Sequence, residues 1–290
     1  MPPTTKPKHK PKVSPKAITS ELDTMVHASA ILLVDGISYE VVEIRATGDV
    51  ILDVAFENTS ACNKSIPNDA LQKLRSAKGE IPSIRVLYRV RLDTLKKHSK
   101  YFTQLLGSEV FGEGLAIKKA FAKLADENLK PAELEPERLP RVTIVDEDEA
   151  TRTFGREHVF SDMLRIIHGS EHTTRPITLT YLTVLTVLAD RFDCLLPVSN
   201  YMTSVLLKFK YPQVVDKTGE DLLRQKCLIF YHTNQTQRFS EASKELVLRG
   251  SVIWTGYDDS RDYSAAWWDL PDGIEGNAPF LDINKSSNTK

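Results

Sequence analysis

The sequence predicts an α+β fold in which a small, mainly antiparallel sheet is covered by a cluster of α-helices. Three observations lead there. Three segments alternate apolar and polar residues with period two, as strands with one buried face do. Later segments carry apolar residues near i, i+3, i+4 and i+7, as amphipathic helices do. The order is strands, helices, one more strand, then only helices. That order suits a sheet with segregated helices rather than a doubly wound one.

The elements follow in chain order. Tyr39–Arg45 (YEVVEIR) reads as a strand, and "ATGD" after it as a turn, with Gly48 tolerating unusual backbone angles. In "GDVILDVAF", Val50, Leu52, Val54 and Phe56 share a face; in "SIRVLYRV", Ile84, Val86, Tyr88 and Val90 do, with Arg85 and Arg89 opposite. These two strands are expected to pair antiparallel, and the shared alternation suits "RVTIV", with Val142 and Ile144 together, as a member of their sheet.

Helical stripes come next. Leu92, Leu95, Phe102 and Leu106 fit one stripe, with Ser99 at its intervening position. Ile117, Phe121 and Leu124 make a modest one; Phe160, Met163, Leu164 and Ile167 a strong one. Leu182, Leu185, Ala189 and Phe192 form another, which Pro197 should close. Val198, Met202, Val205, Leu206 and Phe209 follow. Two shorter patterns lie around Leu223, Cys227 and Phe230, and around Phe239, Ala242 and Leu246.

Composition bounds the function. Of 290 residues, 41% are apolar and 27% charged, with a net charge of −1, which fits a soluble globular chain and gives no sign of a nucleic-acid-coating protein. The first sixteen residues differ: five lysines, five prolines and no acid. Such a tail buries too little to order itself. It reads either as a solvated tail or as a nuclear import signal and weak anion patch. Cys62, Cys194 and Cys227 are odd in number and far apart, so no disulfide framework is expected. No apolar run approaches a membrane span, and no signal-peptide core follows the lysines. The expectation is an intracellular protein, in nucleus or cytoplasm, that does not enter a membrane.

Several residues invite a catalytic or metal reading. Asp93, His98 and Ser99 are the residue types of a hydrolase triad, but adjacent residues of one helix do not face each other. No G-x-S-x-G elbow occurs. His168 and His172 have i, i+4 spacing, yet Gly169 between them should end the helix. The acidic run Asp146–Glu149 lacks the ligand spacing of a calcium loop and reads as a solvated loop leading to a helix. "FGEG" lacks the lysine of a phosphate loop. No catalytic residue, cofactor or metal ligand is assigned.

The stretch "YRVRLDTLKKHSKYFTQLL" resembles the signature of the BTB/POZ family through Tyr88, Val90, Leu95, Ser99, Tyr101 and Phe102. In that signature a strand ends in an aromatic pattern, a short helix carries a leucine, and a serine begins the next helix. "GDVILDV" is similar to the family's first core strand, with Asp49 and Val50 at its Asp-Val. "FSDMLRIIHG" resembles its third helix, through Phe160, Leu164 and His168; "VLTVLADRFDC" resembles the next, through Asp190 and Phe192. The likeness is closest to the fungal branch, which also carries "EG", "LP" and "WWDLPDGIE", here Trp267–Glu275. Arg91 departs from the pattern, standing where the family has histidine. It could form a charge-assisted bond to Asp49.

The resemblance implies a BTB/POZ fold over residues 18–210, with insertions near 57–80 and 108–140. A disordered basic tail (1–17) precedes it. A short helical extension (211–250) and an irregular tail (251–290) follow. It further implies a non-catalytic protein–protein interaction module that needs no cofactor. Such a module serves as a homodimerising scaffold or as an adaptor between substrate and a cullin-type ubiquitin ligase. A nuclear, transcription-associated role using the basic tail is the alternative. The expected partners are proteins, with nucleic acid engaged at most weakly through the tail. The apolar start "MVHASAILLV", Met25–Val34, is expected to pack on its own domain or on a second copy.

Overall fold

The computed structural model describes residues 30–249 apart from 58, 65–69, 71–72, 74–82, 109, 149–150, 152–153 and 207–216. The basic tail, residues 25–29 of the apolar start, most of the insertion at 57–80, Phe209 and the WWDLPDGIE motif lie outside the described residues.

Five strands form one sheet: β1 (Ile31–Val34), β2 (Ile37–Glu43), β3 (Val50–Glu57), β4 (Ser83–Val90) and β5 (Arg141–Glu147). Their order is β1-β2-β4-β3-β5. β3 and β4 pair antiparallel in the register Val50↔Val90 to Glu57↔Ser83, and β5 joins β3, as expected. The sheet is not mainly antiparallel, however. β2 runs parallel to β4 and β5 parallel to β3, so two of its four pairings are parallel. β5 follows β4 only after intervening helices that lie outside the sheet, whereas β2 and β4 are joined through β3 within it.

β1 and β2 form a hairpin; Tyr39–Arg45 is expected as a strand and matches most of β2, while β1 is expected only as part of an apolar start. Asp35 (φ 53°) and Gly36 (φ 81°) supply the two left-handed residues a type I′ turn requires. Gly48 is needed for a different reason from the one expected. A Cβ there would lie 2.7 Å from Arg89 Cγ and 2.9 Å from the Val90 backbone nitrogen. It is a close-approach glycine, not a left-handed one.

Among the described residues the α-helices are α1 (Ser60–Lys64), α2 (Leu92–His98), α3 (Lys100–Gly107), α4 (Gly112–Asp126), α5 (Arg156–Ile167), α6 (Leu179–Arg191), α7 (Leu195–Tyr201), continued by a π-helical stretch Met202–Leu206, α8 (Lys217–His232) and α9 (Thr236–Arg249). One sheet face carries Val50, Leu52, Val54, Phe56, Tyr88, Val90, Val142 and Ile144 into the helical core. The opposite face is not open, as a half-buried sheet would be. Ile51 and Leu87 pack there with Leu32, Val34, Val41 and Leu139. Leu139 follows two short 3-10 turns, Pro131–Glu133 and Pro136–Arg138, which strap that face. Arg89 secures the strap, donating to the carbonyls of Leu134 (2.9 Å) and Gly48 (3.0 Å).

Three helical expectations need correction. The stripe from Leu92 to Leu106 is two helices, because Ser99 is extended (φ −138°, ψ 122°) and breaks it. Pro197 does not close the helix before it. α6 ends earlier, capped at Phe192 and followed by left-handed Asp193, and Pro197 lies within α7's first turn, where proline's missing N–H costs nothing. The terminal helices are not a short appendage either: α8 packs on α6, and Leu223, Cys227, Ile229 and Phe230 belong to the main core.

Candidate functional site

The family-motif positions converge on one joint between sheet and helices. Tyr88 on β4, Phe160 on α5, Phe192 at the end of α6, and Tyr101 and Phe102 on α3 form a continuous aromatic string. Ring centroids lie 5.4 Å apart for Tyr88–Phe160, 5.0 Å for Phe160–Phe192, 5.8 Å for Phe102–Phe192 and 5.1 Å for Tyr101–Phe192. Such pairs add to the area they bury. Tyr88 donates its hydroxyl to the Glu157 carbonyl at 2.8 Å; burial pushes its ionisation far up, so it stays a neutral donor. Val50, Val90, Leu95 and Leu164 complete the apolar surround. Asp190 stands apart at the exposed end of α6, 3.9 Å from His232 Nδ1.

Ser99 is the polar pin of this joint. Its Oγ donates to the Phe192 carbonyl at 2.6 Å and accepts the Phe102 N–H at 3.0 Å. It therefore caps α3 and ties that helix to α6. It is 2% exposed, so neither bond can be replaced by bulk water. This placement corrects the helical-wheel argument for Asp93, His98 and Ser99. Ser99 is at a helix boundary, and its hydroxyl is committed to backbone groups rather than to an imidazole.

Asp49 does not bond Arg91. Its Oδ1 accepts the backbone N–H of Leu92 at 2.7 Å, satisfying a donor in the first turn of α2. Burial pushes the Asp49 carboxyl up, against the Leu92 N–H that favours its charge. The Arg91 side chain is exposed, while its backbone N–H donates to His168 Nε2 at 3.1 Å. His168 caps α5, which stops at Gly169 (φ 73°), as the glycine predicts. His168 Nδ1 lies 2.8 Å from the Leu164 carbonyl. His172 points elsewhere, with Nδ1 2.7 Å from the Tyr201 hydroxyl and Nε2 against the Arg175 guanidinium. The two rings thus serve separate partners.

The acidic run departs from a solvated loop at Asp146, while Glu147 is exposed and Glu149 lies outside the described residues. Asp146 lies at the end of β5 and is 1% exposed. Its carboxylate accepts from Arg156 Nε at 2.8 Å and from Arg191 at 2.6 Å. Arg156 also donates to the carbonyls of Asp148 (3.0 Å) and Glu57. A second buried carboxylate, Asp162 on α5, accepts from Thr173 N (2.6 Å), Thr173 Oγ1 (2.9 Å), Thr174 N (3.1 Å) and Tyr181 (3.0 Å). Burial alone would raise its pKa, but these donors together hold it below the usual carboxylate range. On the strapped face, Arg85 grips buried Asp53 through two bonds, at 2.6 and 2.8 Å, and reaches Asp35 at 2.7 Å. None of these networks is visible as a motif. The available signal is an acid inside an apolar strand or stripe, as in "ILDV" and "FSDML".

Among the described residues, apolar side chains face solvent at several places, including β1 and the start of α4. On β1, Ile31 and Leu33 are 62% and 66% exposed while Leu32 and Val34 are buried. Val110 and Phe111 on the α3–α4 connection are exposed, as is Leu115 near the start of α4. Among the described residues, no helix is long and apolar enough to cross a membrane, and no His/Cys/Asp/Glu group is arranged to hold a metal ion. No protein-family model matches the chain, and neither does any curated protein or solved structure.

Proposed function

We propose that the chain is a non-catalytic protein–protein interaction module with a BTB/POZ-type architecture, acting as a homodimerising scaffold or as a substrate adaptor for a cullin-type ubiquitin ligase. The observation that carries this reading is the joint around Ser99. A short helix after β4, a break at the serine, and Phe102 stacked on Phe192 stand in the order the motif resemblance implies. The polar residues of this joint are engaged with the fold itself, so the available chemistry is shape and apolar surface. Ile31 and Leu33 on the edge strand, and Val110, Phe111 and Leu115 around the start of α4, offer that surface. The Lys-rich first sixteen residues favour a second reading, a nuclear regulatory protein whose tail directs import.

Light scattering on the full chain at micromolar concentration tests the scaffold arm. A dimeric mass that becomes monomeric with Leu33→Glu is expected. Affinity capture with mass spectrometry separates the remaining arms: cullin peptides for the adaptor, chromatin proteins for the regulator. A monomer that captures neither overturns the proposal.

A further inference from the structure

We propose that the α5–α6 connection, His168 to Arg175, is an acid-releasable joint: neutral His168 fastens it to the β4–α2 junction, neutral His172 fastens it to α7, and protonation unfastens both.

The roles of the ring nitrogens follow from their partners. The Leu164 carbonyl can only accept, so His168 Nδ1 holds the proton. The Arg91 backbone N–H can only donate, so His168 Nε2 must be bare. The same logic fixes His172. Guanidinium only donates, so Nε2 facing Arg175 is bare, and Nδ1–H donates to the Tyr201 oxygen. That oxygen also receives the His172 backbone N–H at 3.3 Å. A second proton on either ring would set donor against donor, and at His172 also cation against cation.

The surroundings oppose protonation at both sites. His168 is 6% exposed and His172 5% exposed. Charged and titratable neighbours of His168 are Arg45, which donates to its carbonyl, and His98 on α2. Those of His172 are Arg175 and Glu171 on its own loop, Asp162 on α5, Tyr181 on α6 and Tyr201 on α7. Burial, the largest influence, holds both rings below the ordinary imidazole range; Arg45 and Arg175 act in the same direction. Asp162 and Glu171 pull His172 the other way without reversing it.

The sign follows. A ring whose folded pKa is depressed gives stability that is complete above its unfolded value, about 6.5, and lost as pH falls below it. The two threonines that follow His172 behave differently. Thr173 and Thr174 are held by the Asp162 carboxylate, which stays ionised well below that pH. Acid therefore frees the two histidine contacts while Thr173 and Thr174 stay pinned.

Amide exchange and imidazole NMR on the full chain test this between about pH 7.5 and about pH 5.5. Both rings should titrate below the ordinary imidazole range. Protection of the Arg91 amide, corrected for intrinsic rate, should fall by up to about tenfold per pH unit below about 6.5. The Thr173 amide should keep its protection. His168→Gln, which can still accept from Arg91, should make the Arg91 amide insensitive to pH. Should that variant fail to fold, the wild-type measurements decide alone. Ordinary titration of both rings, an unchanged Arg91 amide, or loss of protection at Arg91 and Thr173 together would each overturn the proposal.

Discussion

Replacing Ser99 by alanine removes one oxygen and two bonds. The cap on the Phe102 N–H is lost, costing about 1 kcal/mol. The Phe192 carbonyl loses its donor inside the core, which costs about 1–3 kcal/mol because water cannot replace it. Together these predict a loss of about 2–4 kcal/mol. Urea unfolding followed by circular dichroism reads this directly. With a slope of roughly 2–3 kcal/mol per molar for a chain of this size, the midpoint should fall by roughly 1 M. Ser99→Thr keeps the hydroxyl and should recover most of the loss. A Ser99→Ala protein within about 0.5 kcal/mol of the parent would refute the reasoning, since it would mean neither bond resists solvent.

Three further outcomes are expected. Asp146→Asn removes the negative charge opposite Arg156, whose side chain is 0% exposed and keeps its carbonyl acceptors, and should cost about 3–5 kcal/mol by the same unfolding assay. Pairing it with Arg156→Met should restore part of that. Gly48→Ala drives a methyl against the Val90 backbone and should destabilise by about 1–3 kcal/mol, seen as a lower Tm. Asp162 has a depressed folded pKa, so its contribution is complete above about pH 4 and lost as pH falls further. Asp162→Asn should flatten the acid side of the stability–pH curve.

Much of the fold is legible because burial leaves a period. Val50, Leu52, Val54 and Phe56 announce β3, and Phe160, Met163, Leu164 and Ile167 announce α5, since each set faces one core. Period alone could not reveal that β3 is covered on both faces, because the strap over Ile51 lies far along the chain. The break at Ser99 escapes helical periodicity for a related reason. Leu95 and Phe102 stay in phase across it, and only the capping chemistry of serine, or the motif resemblance, marks the boundary. The hairpin was readable from Asp35-Gly36, a strong type I′ signal. The ion cluster at Asp146 was not, because acids in a row look solvated until Arg156 and Arg191 arrive from two helices. At the joint, residue types located Ser99, His168 and Asp49 but not their partners. Each bonds a backbone group, and a backbone group carries no sequence signature.

The parallel pairing of β3 with β5 also bears on how the chain can be made. Ile51 waits for Arg141 before that side of β3 is filled. As the ribosome delivers the chain, β3 spends the intervening stretch with one ladder edge open, in a strand whose sequence is VILDVAFE. A nascent or prematurely terminated chain ending before β5 would offer an apolar template to any neighbour in the same condition. Strand exchange between such chains is the misassembly this topology invites, and the arrival of Arg141–Glu147 is the event that ends the exposure.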